Sequence, residues 1–293
     1  MHTIERREIF IESKETLSYR FRQGGKQLLL LLHDNLSSSR HFDHLMENIS
    51  DEYTIYALDL RGFGNSSYLG KVTSMRDFSE DVKDFADAIG INTFVLTGWG
   101  LGGNVAMRFA IDYNRYVEKL ILLSSHSVKG HPLKHRYACG LVKSSKPIST
   151  LSSMQAHVKR LEMLKFNDKK PAIYRYLNKT LYTNKRPSKE RYHYYVRELK
   201  MQRNMAETQL ALSYFNISTE HNGLTKGTNE AHKLTMPTLI IHGTKDKVVP
   251  LRTAYTNAQA IGENAVIHII KGGDHALMLG TLGETLALIE TFI

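Results

Sequence analysis

Cysteine is almost missing from this chain: Cys139 is the only one in 293 residues. No disulfide can form within it, which suits a reducing, cytoplasmic setting. Long apolar runs are missing as well, and none approaches the ~20 residues that a membrane-spanning helix needs. The opening Met1-His2-Thr3-Ile4-Glu5-Arg6-Arg7-Glu8 is charged where a secretion signal is apolar. Internal repeats and low-complexity tracts are absent. Carboxylates are too few to balance the cations, giving a formal net charge of +10, but the imbalance is local. Residues 126–232 hold 20 of the 39 Lys and Arg and only 7 of the 29 Asp and Glu, leaving 19 against 22 elsewhere.

With 42% hydrophobic residues, the chain is long enough for one large α/β domain carrying an insertion. Ile4 to Ile11 and Thr16 to Arg22 read as short strands. Leu28 to Leu32 is continuously apolar, as expected of a strand covered on both faces of a largely parallel sheet. The spacing of Phe42, Leu45, Met46 and Ile49 predicts an amphipathic helix that Ser38 or Ser39 could cap. Strand Tyr53 to Leu58 leads into a glycine-punctuated loop. A helix from about Ser74 to Ile89 follows, with Phe78, Val82, Phe85 and Ile89 on one stripe and Gly90 closing it. Strands Phe94 to Thr97 and Leu120 to Leu123 flank a further helix. The alternation resumes at Pro237 with strand Thr238 to His242, a helix near Thr253 to Ile261, strand Val266 to Ile270 and a helix from about Leu282. Strands alternating with helices predict an α/β fold with a doubly wound, mostly parallel sheet. Residues 1–125 and 233–293 form the core of that reading. Residues 126–232, expected to be helices and polar linkers punctuated by Pro132, Pro147, Pro171 and Pro187, form an insertion.

One further absence concerns chemistry. Val95-Leu96-Thr97-Gly98-Trp99-Gly100-Leu101-Gly102-Gly103 has the layout of a strand-turn-helix nucleophile elbow, whose tip is a serine in the G-x-S-x-G form. Here the tip is Gly100. The flanking glycines keep the frame, and the hydroxyl needed for an acyl-enzyme is gone. Glycine also suits the unusual backbone that such a tip demands.

The sequence resembles the α/β-hydrolase fold superfamily. The resemblance rests on four landmarks in order: Asp59-x-Arg61-Gly62-x-Gly64-x-Ser66, the elbow, His242-Gly243-x-x-Asp246-x-Val248-Val249-Pro250, and Gly272-Gly273-Asp274-His275-Ala276. The elbow with Asp-Leu-Arg-Gly-Phe-Gly is most similar to Bacillus-type intracellular poly(3-hydroxybutyrate) depolymerases. The resemblance implies that Asp246 and His275 are the acid and base of a catalytic triad whose nucleophile position is Gly100. A carboxylate at Asp246 can hold the Nδ1 proton of His275 and stabilise its imidazolium. It also implies an oxyanion hole from the backbone of Asn35 or Leu36 together with Leu101. The family's His-Gly pair stands here as His33-Asp34. Asp34 either faces the pocket, where its charge opposes an oxyanion, or points outward in a local turn bond. Trp99 adjoins the site.

The resemblance makes the insertion a cap, with a helix from Ser153 to Phe166 carrying Met154, Val158, Leu161 and Leu164 or Lys165 inward. Its cationic excess attracts carboxylates, phosphates or an anionic surface. Tyr192, Tyr194 and Tyr195 among Arg191, His193 and Arg197 raise nucleic-acid binding, but no RNA-binding signature accompanies them. His126, His131, His135 and His157 raise a metal, but they lack cysteines and nearby carboxylates as partners. The expectation is a protein of carboxylic-ester hydrolase type, acting on a small ester or acyl compound without cofactor, metal or nucleic acid, and impaired as a serine hydrolase. Two alternatives stand beside it: a His275–Asp246 general base acting without a covalent intermediate, and a ligand-binding protein that uses the capped pocket without turnover.

Overall fold

A computed structural model describes residues 3–136, 142–166 and 170–293; Met1, His2 and Cys139 fall outside these ranges. Strands β1 (Glu5–Phe10) and β2 (Thr16–Arg22) form an antiparallel hairpin, followed by β3 (Gln27–Leu32), the one-turn helix α1 (Asp43–Met46) and β4 (Tyr53–Leu58). Next come α2 (Met75–Ala88), β5 (Phe94–Trp99), α3 (Leu101–Asp112) and β6 (Val117–Leu123). The following segment holds β7 (Lys134–Arg136), β8 (Val142–Pro147), α4 (Leu151–Phe166), α5 (Lys170–Thr180), α6 (Lys189–Lys200) and α7 (Met205–Tyr214). The chain closes with β9 (Thr238–Gly243), α8 (Arg252–Ile261), β10 (Ala265–Ile270), α9 (Leu277–Gly280) and α10 (Leu282–Phe292).

Eight strands form one sheet in the order β1-β2-β4-β3-β5-β6-β9-β10, antiparallel at β1-β2 and β2-β4 and parallel from β4 onward. The leucine run of β3 shows why: successive strand side chains face opposite sides. Leu30 and Leu32 join the core beneath α2 and α3, whereas Leu29 and Leu31 join the other core with α1, α9 and α10. Helix α2 starts at a capping box in which Ser74 and Asp77 satisfy each other's backbone N–H groups, and it ends before Gly90 at φ 75°.

Two elements differ from the sequence reading. The expected helix through Phe42 and Ile49 is only a 3-10 turn, Ser39–Phe42, capped by Ser38, followed by α1. The buried Arg22 guanidinium donates to the carbonyls of Met46 (2.6 Å), Ile49 (2.9 Å) and Tyr53 (3.0 Å), so a distant cation satisfies the groups on which a longer helix would depend. The inserted segment also contains the antiparallel pair β7-β8, where only helices and linkers were expected. Its residues are too few for a readable alternation, and Pro147 sits at the strand end, where its missing N–H costs least.

The apolar faces of α4, α5 and α6 join the second core: Met154, Val158, Leu177, Tyr182 and Val196 cluster with Trp99, Leu123 and Leu277. Tyr192 and Tyr195 are buried in this packing, and Tyr194 lies beneath the Arg40 guanidinium, 3.9 Å from its ring centre. They are not an exposed stacking surface. Among the described residues, no helix is long and apolar enough to cross a membrane.

Candidate active site

The C-terminal ends of β3, β5, β9 and β10 bring the candidate residues together. The turn after β5 is tight: a Cβ on Gly102 would overlap the Leu32 carbonyl, so the start of α3 lies directly against the end of β3. Gly100 itself has φ 54° and ψ −114°, a conformation that L side chains rarely adopt. A Cβ added there would overlap Oδ1 and Cγ of Asp34. The carboxylate of Asp34 therefore occupies the space that a side chain at position 100 would enter.

Asp34 does not point outward. It is 3% exposed, its Oδ1 accepts the Leu101 N–H (2.6 Å), and its Oδ2 lies 2.9 Å from His275 Nε2. On the other side of the ring, His275 Nδ1 is 2.8 Å from Asp246 Oδ2. Asp246 is fixed in turn by the N–H groups of Val248 and Val249, both 2.8 Å from its Oδ1. The indole N–H of Trp99 donates to the His275 carbonyl (2.8 Å), tying the elbow to the histidine loop. Burial opposes charge on His275, but Asp246 and Asp34 outweigh it and raise its pKa to about 10. Burial likewise opposes charge on both carboxylates, and the imidazolium overcomes it, holding Asp34 and Asp246 below the ordinary Asp value. The resting site at neutral pH is thus carboxylate, imidazolium, carboxylate, with both ring N–H groups engaged.

The loop after β3 is organised by His33. One ring nitrogen, Nδ1, donates to the Asp34 carbonyl (2.7 Å), and Nε2 accepts the Leu60 N–H (3.1 Å). Burial pushes the His33 pKa down to about 4, keeping it neutral and able to do both. Leu36 was expected as an alternative oxyanion donor, and its N–H is instead committed to Gln202 Oε1 (3.1 Å). Leu36 has a left-handed backbone (φ 57°) in this turn, and Gln202, just beyond α6, packs against its N–H. Leu101 N–H is also occupied, by Asp34. Asn35 lines the cleft, and its Oδ1 accepts from Gln202 Nε2 (2.7 Å). Nothing in the sequence pointed to Gln202, which lies more than 160 residues from this loop.

The Asp59–Ser66 landmark acts structurally. Asp59 accepts the N–H groups of Ser39 (2.8 Å) and Asn65 (3.0 Å), and Arg61 pairs with Asp81 (2.7 Å from Nε).

A cleft of about 650 Å³ opens over Asp34. Asn35, His126, Tyr176, Met205 and Val248 line it, together with residues of α4 and α5. His126 and His131 pack with their rings tilted (5.1 Å between centres), and burial, then His131, pushes the His126 pKa down to about 3. His157 also lines the cleft, whereas the side chain of His135 is outside the described set. Among the described residues, no group of three or more His, Cys, Asp or Glu is placed to hold a metal ion.

A family model described as the alpha/beta hydrolase fold matches residues 27–281. Epoxide hydrolase 4 of Mus musculus is 34% identical over 104 residues, 35% of this chain and 29% of that protein. A carboxylesterase of Bacillus subtilis is 29% identical over 143 residues, 47% of this chain and 48% of that protein. These matched stretches are therefore less than half of each relative. An esterase from Exiguobacterium antarcticum superposes with a TM-score of 0.73 at 17% identity, covering 97% of this chain and 98% of that one. Fold, strand order and the matched span agree, and the chain belongs to the alpha/beta hydrolase fold family.

Proposed function

We propose that this chain is a small-molecule hydrolase of carboxylic-ester type by descent, in which the acyl-serine route is closed. One observation carries the reading: the Asp34 carboxylate fills the place of the absent serine side chain and holds the Leu101 N–H that would serve an oxyanion. Asp246 and His275 take the acid and base positions, with Gly100 at the nucleophile position. Asn35 is the remaining candidate for a second oxyanion donor, and His33 and Trp99 position the loops. Residues 126–232 form the cap over the cleft, while 1–125 and 233–293 form the core. His275 is not a free base in the resting site, because its Nε2 proton is held by Asp34; this counts against general-base catalysis without a covalent intermediate. The test is labelling with a fluorophosphonate probe and turnover of short acyl esters, including 3-hydroxybutyrate esters. The expected result is neither; labelling of the unmodified protein overturns the reading.

A second reading is favoured by the ionised state of Asp34 and by the epoxide hydrolase among the relatives. A carboxylate that attacks an ester carbonyl gives only a reactive anhydride, but on the sp3 carbon of an epoxide it gives a stable ester. Asp34 Oδ2 forms the new C–O bond, the epoxide C–O bond breaks, and the alkoxide takes the Nε2 proton of His275. Esterification removes one of the two charges that raised the pKa of His275, leaving a neutral base beside Asp246. That base takes a proton from water as it adds to the Asp34 acyl carbon, and Leu101 N–H receives the oxyanion. Collapse releases a diol and restores the carboxylate and the imidazolium. In a His275→Asn variant the ester should accumulate, and the Asp34 peptide should gain the mass of added 1,2-epoxyhexane. An unmodified peptide refutes this route.

A further inference from the structure

Charges of opposite sign line the cleft, the negative one buried and the positive ones exposed. Its floor is Asp34, buried and anionic. Its exposed lining carries Arg160 of α4 and Arg175 and Lys179 of α5. Leu36, Val158, Leu161 and Met205 also line it. Arg175 and Lys179 are four residues apart on one helix, a spacing at which like charges repel, and Arg160 faces the same space from another helix. Among the described residues, none of these three cations has an ion-pair or hydrogen-bond partner. The neighbouring carboxylate of α4, Glu162, lines a separate groove with Lys159. Three cations lining one cleft with no counter-charge among the described residues favour an added anion.

We propose that the cleft is polarised for an amphiphilic ligand whose uncharged end lies at Asp34 and whose oxyanion, a carboxylate or phosphate, lies at the rim of Arg160, Arg175 and Lys179. The floor repels a free acid, because Asp34 is already ionised there, and the rim attracts one. Charge therefore fixes which way the ligand enters. The apolar part of the lining takes a carbon chain. Orientation of this kind brings an ester or epoxide group, rather than the acid, to Asp34 and His275.

This inference rests on the cleft being the substrate site. Binding is measured without turnover, so its failure is distinct from failure of the proposed chemistry. Titration calorimetry of the unmodified protein would compare monomethyl suberate, dimethyl suberate and octyl phosphate. Both charged probes, or one of them, should bind at least 10-fold more tightly than the uncharged diester, with an advantage that shrinks as salt rises. The tighter of the two identifies the head as carboxylate or phosphate. Arg175→Glu with Lys179→Glu should abolish the advantage and leave diester binding unchanged, which also shows that the variant is folded. Val158→Trp should weaken all three probes by filling the cleft. Equal affinity for charged and uncharged probes overturns the proposal, as does charged-probe binding that survives Val158→Trp.

Discussion

Gly100→Ser as a single change is expected to weaken the protein and to leave it unreactive. The serine must adopt φ near 54°, which costs a residue with a side chain about 1 to 3 kcal/mol. Its Cβ also overlaps the Asp34 carboxylate, which can move only by releasing Leu101 N–H and His275 Nε2. Breaking a buried ion pair costs about 3 to 5 kcal/mol. The total of about 4 to 8 kcal/mol is a large share of the ~5 to 15 kcal/mol by which a domain is stable. At roughly 2 °C per kcal/mol for a chain of this size, Tm should fall about 8 to 16 °C. The double variant Asp34→Gly with Gly100→Ser removes the overlap, frees Leu101 N–H and leaves His275 paired with Asp246 alone. Backbone strain remains, but no buried carboxylate is left displaced and uncompensated, so it should melt above the single variant. It should also react with a fluorophosphonate and hydrolyse short acyl esters at a rate on the order of 10³-fold above the parent. Thermal melts and active-site labelling of both variants test this. The reasoning fails if the single variant keeps the parent Tm and labels as fast as the double one. It fails equally if the double variant folds and stays unlabelled.

Asp34→Asn keeps the shape and the Leu101 contact while removing one charge from beside His275, so the imidazole pKa should drop well below about 10; an NMR titration of the ring protons reads it directly. The raised pKa also sets a pH window for stability. Relative to its ordinary value of 6.5, His275 gains protonation on folding, so its contribution is complete below pH 6.5 and disappears as pH rises toward 10. The loss is at most about 5 kcal/mol. Urea denaturation at pH 6.5, 8 and 9.5 should show the decline, with a shallower slope in Asp34→Asn; parallel slopes would refute the assignment. His33→Ala should cost about 2 to 4 kcal/mol in the same assay at pH 7, because it strands the buried Leu60 N–H and releases the Asp34 loop. A loss under 1 kcal/mol would show that the loop holds itself.

The alternation of apolar strands and striped helices was enough to determine the sheet, because both periods are written into neighbouring residues. The five leucines of β3 announced a strand covered on both faces, and Ser74, Asp77 and Gly90 marked the ends of α2. The four glycine-rich landmarks likewise singled out Gly100, Asp246 and His275, which the fold brings together around Asp34. Long-range geometry decided the rest. That Arg22 would end α1 depends on carbonyls brought to it by the β2-β4 pairing. That Leu36 N–H would be taken by Gln202 depends on how α6 packs over the β3 loop. Asp34 is the clearest case. Its neighbours in sequence allowed an inward or an outward side chain equally, because a turn aspartate can satisfy itself locally. Only the fold places it against a glycine with no side chain, between an amide and an imidazolium that together stabilise its charge. Sequence could show that a hydroxyl was missing at Gly100, whereas tertiary structure decided what filled its place.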